Sequence, residues 1–290
     1  GPAVRRAVRT RANKYTAETY IDRIHREHPD LDEQIRRLEA QKANGISQLN
    51  PYEHIPQTEK LSTAELKRLE SLYEIRANLQ VATNITSGDQ AILFDPDNDR
   101  IIMANGDLTT PPDHAIIFAP GTGTDMTSFA NSLTGISDAI VTELSERGRS
   151  GVVFTAMDGP WSTWLGEGFN GSEAEMAERA EKIQDLANNI RLEDYGANTE
   201  HVGIGYSAGE SKFAISESKG HVTDESISIG GSYVGYSWIP DPNAEYTPSS
   251  TPTTQLITST HSAFEHQTPS KPLRRYTSLL LAVTADKTTH

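Results

Sequence analysis

The pentapeptide Gly205-Tyr206-Ser207-Ala208-Gly209 carries the most distinctive chemistry in this sequence. A Ser flanked at two residues on either side by Gly fits an abrupt turn from a strand into a helix. The glycines relieve the crowding, and the Ser takes a strained conformation that exposes its hydroxyl. The context agrees: His201 to Ile204 reads as a strand, and a helix is expected from Ala208 to Ser218. The helix N-terminus favours negative charge developing near Ser207. Ser207 is therefore a candidate nucleophile, set against the plainer reading of a glycine-rich strand-to-helix turn.

A nucleophilic Ser needs donors for the oxyanion that forms on the attacked carbonyl. One is the backbone N–H of the following residue, Ala208; the other comes from a loop after an early strand. Pro120-Gly121-Thr122-Gly123-Thr124-Asp125 follows the apolar run His114 to Ala119, and its glycines let backbone approach a ligand closely. Gly121 and Thr122 are the candidate donors. This loop lacks the Lys-Ser/Thr of a phosphate-binding loop and the spacing of a dinucleotide fingerprint.

The Ser also needs a His base and an acid that orients it, in the chain order Ser, acid, His. Asp241 lies after a possible strand, Tyr233 to Trp238, and before His261. Asp224 precedes its strand and falls at the wrong edge of the sheet; Asp286 follows His261 and could serve only His290. His261 stands after a loop and before a helix-like stretch, Leu273 to Val283, where a late loop would present the base. His266 is a neighbour, and His290 is the alternative base. Asp158 to Leu165, with Trp161 and Trp164, and Phe169 follow a strand end. They read equally as a loop tucked onto the core and, with Tyr206, as an aromatic wall of a substrate pocket.

Two kinds of pattern must position these groups. Residues 1–82 read as helical. A basic arm (Arg5, Arg6, Arg9, Arg11, Lys14) reads as a solvated helix start or tail, and Thr16 as the cap of a helix running toward His28. A second helix follows Asp30. Ser62-Thr63-Ala64-Glu65 has capping-box order and opens a third, with Leu66, Leu69, Leu72, Tyr73, Ile75 and Leu79 as its apolar face. Residues 83–290 alternate short strands with helices, beginning with a hairpin across Asp95-Pro96-Asp97-Asn98-Asp99, continuing through one helix from Met126 to Arg147, and including a loop from Tyr246 to Thr254. That alternation predicts an α/β fold with a mostly parallel sheet, preceded by an all-helical segment. The three Asp of the hairpin imitate a calcium loop, but Arg100 occupies the position that needs Gly.

Composition narrows the classes further. The 290 residues carry 26 basic and 40 acidic side chains, a net charge of −14, which argues against nucleic acid as the main partner. Cys is absent, which removes thiolate zinc sites, disulfides and Cys nucleophiles; nine His show no zinc-ligand spacing. No apolar run approaches the length of a membrane span, and no signal-peptide pattern is present. Cytoplasmic and exported locations are both open.

The sequence resembles an α/β-hydrolase family widespread in actinobacteria, whose members often follow helical segments in chains linked to type VII secretion. The resemblance rests on Ile101 to Asp107, Ala115 to Thr124, Gly205 to Gly209, Ile227 to Ser232, and Asp241-Pro242 with His261-Ser262-Ala263-Phe264. It implies an α/β-hydrolase fold with Ser207 as nucleophile, Asp241 as acid and His261 as base. The expected function is ester hydrolysis through an acyl-enzyme on a small ester or lipid, with no metal or cofactor. The alternative is a non-catalytic protein that uses the fold as a scaffold and its N-terminal helices to bind a partner.

Overall fold

The computed structural model describes residues 2–46, 61–164, 169, 172–192, 198–220, 223–231, 238–239, 242, 244–247 and 274–277. The first layer is helical: α1 (Pro2–Glu27), α2 (Leu31–Ile46) and α3 (Thr63–Ser87). α1 starts far upstream of Thr16. Nothing between Pro2 and Thr16 breaks a helix, and the Thr16 hydroxyl donates back to the Ala12 carbonyl instead of capping. The basic arm is thus helical, and Arg6 turns inward, its Nε donating to the Leu108 carbonyl at 2.7 Å. The capping box at Ser62 forms as expected, with reciprocal bonds to Glu65. Leu69 and Leu72 are buried as expected, but Leu66 is exposed, and burial continues through Ala77, Val81, Ala82 and Ile85. The 82/83 boundary expected from sequence falls inside α3.

The sheet follows: β1 (Gln90–Asp95), β2 (Arg100–Asn105), β3 (His114–Ala119), β4 (Gly151–Asp158), β5 (Glu200–Tyr206), β6 (Glu225–Ile229), β7 (Ala244–Thr247) and β8 (Arg274–Thr277). Its order is β1-β2-β4-β3-β5-β6-β8-β7. β1 and β2 form the expected hairpin, and β2 runs antiparallel to β4; every pairing from β4 to β7 is parallel. β3 and β4 are buried along nearly their whole length, the mark of strands covered on both faces. Two strands depart from expectation. β8 occupies part of the stretch read as helix, because its pairing with β6 and β7 outweighs an ambiguous apolar pattern. Tyr246 and Thr247 belong to β7 rather than to a loop.

The connecting helices are α4 (Met126–Asn131), α5 (Leu133–Glu146), α6 (Glu173–Leu192) and α7 (Ala208–Lys219). The single helix expected from Met126 to Arg147 is broken at Ser132, whose φ of −129° leaves the helical region. Asp125 caps α4 by accepting from the Ser128 N–H. Buried residues of α1, α2 and α3 belong to the same apolar cluster as those of the sheet. Among the described residues no helix is long and apolar enough to cross a membrane.

Candidate active site

β5 ends at Tyr206 and α7 begins at Ala208, so Ser207 alone makes the turn. Its backbone sits at φ 51°, ψ −114°, one of two non-glycine residues at positive φ in the described chain. Such a conformation costs roughly 1–3 kcal/mol and persists only when its surroundings enforce it. They do. The Ser207 N–H donates to the Ile229 carbonyl at the end of β6, and its carbonyl accepts from the Glu210 N–H. The flanking glycines are obligatory for the reason inferred from sequence. A Cβ on Gly205 would lie 2.4 Å from Cα of Glu210, and one on Gly209 would lie 2.0 Å from the Ala119 carbonyl oxygen. The helix start is thereby pressed against the end of β3.

That close approach brings the Gly121–Asp125 loop, the candidate source of oxyanion donors, to Ser207. A Cβ on Gly121 would stand 3.4 Å from Cβ of Ser207 and 3.0 Å from the Tyr206 ring. As the first residue of α7, Ala208 has an N–H without an intrahelical acceptor. The Thr122 hydroxyl is buried and finds no hydrogen-bond partner among the described residues. The structure thus brings together Ser207, Ala208, Gly121, Thr122 and Tyr206.

The aromatic loop divides. Trp161 is 5% exposed, and its indole N–H donates to the Pro120 carbonyl at 3.0 Å. Trp164 is 72% exposed, with its indole nitrogen on the Gly123 side, and Tyr206 is 50% exposed. Trp161 is thus tucked onto the core, whereas Trp164 and Tyr206 face outward, Trp164 beside Gly123 and Tyr206 next to Ser207 in the chain.

Asp241, His261, His266, Asp286 and His290 lie outside the described residues, as does the possible strand from Tyr233 to Ser237. Asp224 is described, and it is engaged elsewhere. It pairs with Arg191 at 3.0 Å and accepts from the His201 N–H at the start of β5. That is the opposite end of the strand from Ser207, about 20 Å away at the usual rise per residue.

Sequence reasoning passed over two ionisable groups on α7, the buried Lys212 and the half-buried Glu210. Lys212 is fully buried; its ammonium donates to the Ala208 carbonyl and the Ser162 hydroxyl, both at 2.8 Å, and stands 4.6 Å from the Trp161 ring centre. Burial, with Arg179 nearby, pushes its pKa down to about 7. Glu210 lies beside Gly231 and near the Ser228 hydroxyl, and burial with the neighbouring Glu217 pushes its pKa up to about 7. No pattern marked either one: α7 reads as polar, Ala-Gly-Glu-Ser-Lys, yet Ser211 through Ser216 are all buried. Among the described residues no group of three or more His, Asp or Glu is placed to hold a metal ion.

An antiparallel hairpin leading into a mostly parallel sheet, with Ser on the turn between β5 and the next helix, is the α/β-hydrolase arrangement. No protein-family model matches the chain, and no curated protein does. Among solved structures, the siderophore hydrolase EstB from Aspergillus fumigatus is similar over 46% of this chain and 40% of its own, at 16% identity and a TM-score of 0.30. Thermogutta terrifontis esterase 2, phosphonylated by sarin, is similar over 50% of this chain and 54% of its own, at 13% identity and a TM-score of 0.31. The chain spans roughly half the length of the solved structures it matches.

Proposed function

We propose that the protein is a serine hydrolase that cleaves carboxylic esters through an acyl-enzyme. The observation that carries this reading is the strained Ser207, held at φ 51° with the backbone of Gly121 packed against its Cβ. Strain of this kind has a use when it presents a hydroxyl to a bound carbonyl. Ser207 Oγ attacks the ester carbon. His261 takes its proton and returns it to the leaving alcohol, and Asp241 orients the imidazole. The N–H groups of Ala208 and of Gly121 or Thr122 hold the oxyanion, and the orphaned Thr122 hydroxyl is available as a further donor. Water then releases the acid and restores Ser207. Tyr206 and Trp164 offer an apolar rim, which suits an acyl chain or a lipid ester. The resemblance to the actinobacterial hydrolases supports the same roles.

The test is labelling by a fluorescent fluorophosphonate together with p-nitrophenyl ester hydrolysis. Wild type is expected to label and turn over, and both signals are expected to vanish in Ser207→Ala and to fall at least about 1,000-fold in His261→Ala. A folded wild type that neither labels nor hydrolyses esters of any chain length sinks the reading and favours the non-catalytic scaffold. Retained activity in His261→Ala with loss in His290→Ala would move the base to His290.

A further inference from the structure

The two candidate loop donors, Gly121 and Thr122, lie between two ties made by consecutive residues of another loop. On one side the Trp161 indole N–H donates to the Pro120 carbonyl at 3.0 Å; on the other the Gly123 N–H donates to the Ser162 carbonyl at 2.7 Å. Trp161 and Ser162 share one anchor. The Lys212 ammonium lies over the Trp161 ring at 4.6 Å and donates to the Ser162 hydroxyl at 2.8 Å. Its further bond goes to the carbonyl of Ala208, the residue that follows the nucleophile. The same loop is fastened one residue earlier, where Arg179 Nε donates to the Pro160 carbonyl at 2.9 Å.

A buried ammonium is costly unless its protons are well placed. Ser162 is itself 1% exposed, so the Ser162–Lys212 pair is closed to substrate and does not form a second nucleophilic centre. What the ammonium touches is instead the framework on both sides of the oxyanion pocket: the elbow through Ala208, and the oxyanion loop through Trp161 and Ser162. A donor shifted by an ångström from a developing oxyanion loses much of its effect, since the benefit depends on prior alignment.

We propose that Lys212 is a positioning residue that locks the Gly121–Thr122 oxyanion loop to the Ser207 elbow through Ala208, Ser162 and Trp161; its catalytic consequence rests on the reading of Ser207 as the nucleophile. Lys212 touches no substrate. It sets the distance between the two backbone donors, one on each side of the strut.

The experiment has two arms on the full chain, for Lys212→Met, Ser162→Ala and Trp161→Phe. The first is amide hydrogen exchange read by mass spectrometry, which needs no activity. Lys212→Met is expected to speed exchange of the Gly121–Asp125 amides at least about tenfold, with the β1–β2 hairpin unchanged. The second is steady-state hydrolysis of p-nitrophenyl acetate. Lys212→Met is expected to lower kcat about 100-fold with KM within about threefold, the signature of an interaction realised in the transition state. Adding Ser162→Ala to Lys212→Met is expected to cost little more, because one strut is cut twice. Unchanged loop exchange in a folded Lys212→Met overturns the proposal, as does a raised KM at unchanged kcat. Should Lys212→Met fail to fold, Trp161→Phe decides, since it keeps an aromatic face for the ammonium while deleting the bond to Pro120 together with part of the indole. It is expected to raise loop exchange and lower kcat, and wild-type values in both overturn the strut. An inert wild type defeats the ester-hydrolase reading alone, and the exchange arm still decides whether Lys212 holds the loop.

Discussion

Two regions of the sheet are held by opposite strategies: the β1 edge beneath α1, and the elbow between β5 and α7. At the β1 edge the ladder slips by one residue between Ala91 and Leu93, leaving Ile92 as a bulge. Asn13 of α1 closes the gap, donating to the Ile92 carbonyl at 2.8 Å and accepting from the Phe94 N–H at 2.9 Å. The surrounding packing is ordinary apolar burial, with Tyr20 edge-on to Phe94. The bulge is satisfied by a neutral side chain, and the positive φ of Asp99 in the adjoining hairpin turn is one that an Asp tolerates. At the elbow, a non-glycine residue sits at positive φ, and one helix holds a half-buried carboxyl and a buried ammonium. The difference teaches where this fold tolerates cost. Irregularity at the edge is repaired; at the elbow it is imposed by close packing and kept, as expected of a site whose geometry is used.

The contrast breaks most sharply at Gly209. Gly209→Ala forces a Cβ to 2.0 Å from the Ala119 carbonyl, and neither backbone can yield without moving Ser207 or the loop that begins at Pro120. A loss of roughly 3 kcal/mol or more is expected in urea unfolding, with loss of fluorophosphonate labelling. A variant as stable and reactive as wild type would show that the elbow is not tightly packed.

The second effect concerns pH. The folded pKa of Glu210 is raised to about 7, so its stabilising contribution is full below the ordinary carboxyl range near 4.5 and is lost as pH rises through 7. The folded pKa of Lys212 is lowered to about 7, so its contribution is present above about 10.5 and is lost as pH falls toward 7. Together they place a dip in stability near neutrality. Glu210→Gln is expected to flatten the falling limb, gaining on the order of 3 kcal/mol relative to wild type at pH 8 compared with pH 4.5. Parallel pH profiles for the two proteins would refute it.

Smaller effects test the repaired edge. Asn13→Ala leaves the Ile92 carbonyl and Phe94 N–H without their partner and is expected to cost about 1–2 kcal/mol. Labelling of Ser207 should be unaffected, and a matching loss of labelling would show that the two regions are coupled. Gly135 is exposed within α5 with open space at its missing Cβ, so Gly135→Ala is expected to raise stability by about 0.5–1 kcal/mol. Its unfolding midpoint, set beside that of Gly209→Ala, separates a glycine that is merely present from one that is required.

Much of this was legible in the residues because local rules suffice for it. The capping box at Ser62, the Asp95–Asp99 hairpin, the β3 run and the Gly-x-Ser-x-Gly turn are each specified by a few adjacent side chains. Errors came where a distant partner decides. Arg6 reads as part of a solvated basic arm, but Leu108, a hundred residues on, supplies its acceptor. Thr16 has the chemistry of a cap and serves instead as an ordinary mid-helix residue. Arg274 to Thr277 reads as helix until strands are placed on both sides of it.

The sequence by itself determined the alternation of strand and helix, the elbow at Ser207 and the loop that faces it, because periodicity and glycine spacing are local consequences of backbone sterics. Only the tertiary structure decided which side chains do the holding. Whether Lys212 is a surface charge or a buried strut depends on Ala208, Ser162 and Trp161 meeting around it. Trp161 and Trp164 stand three residues apart in one loop, yet one is buried against Pro120 and the other faces out. Burial is a property of what packs on a residue, and for Lys212 that includes Trp161 and Ser162 of a loop some fifty residues away in the chain.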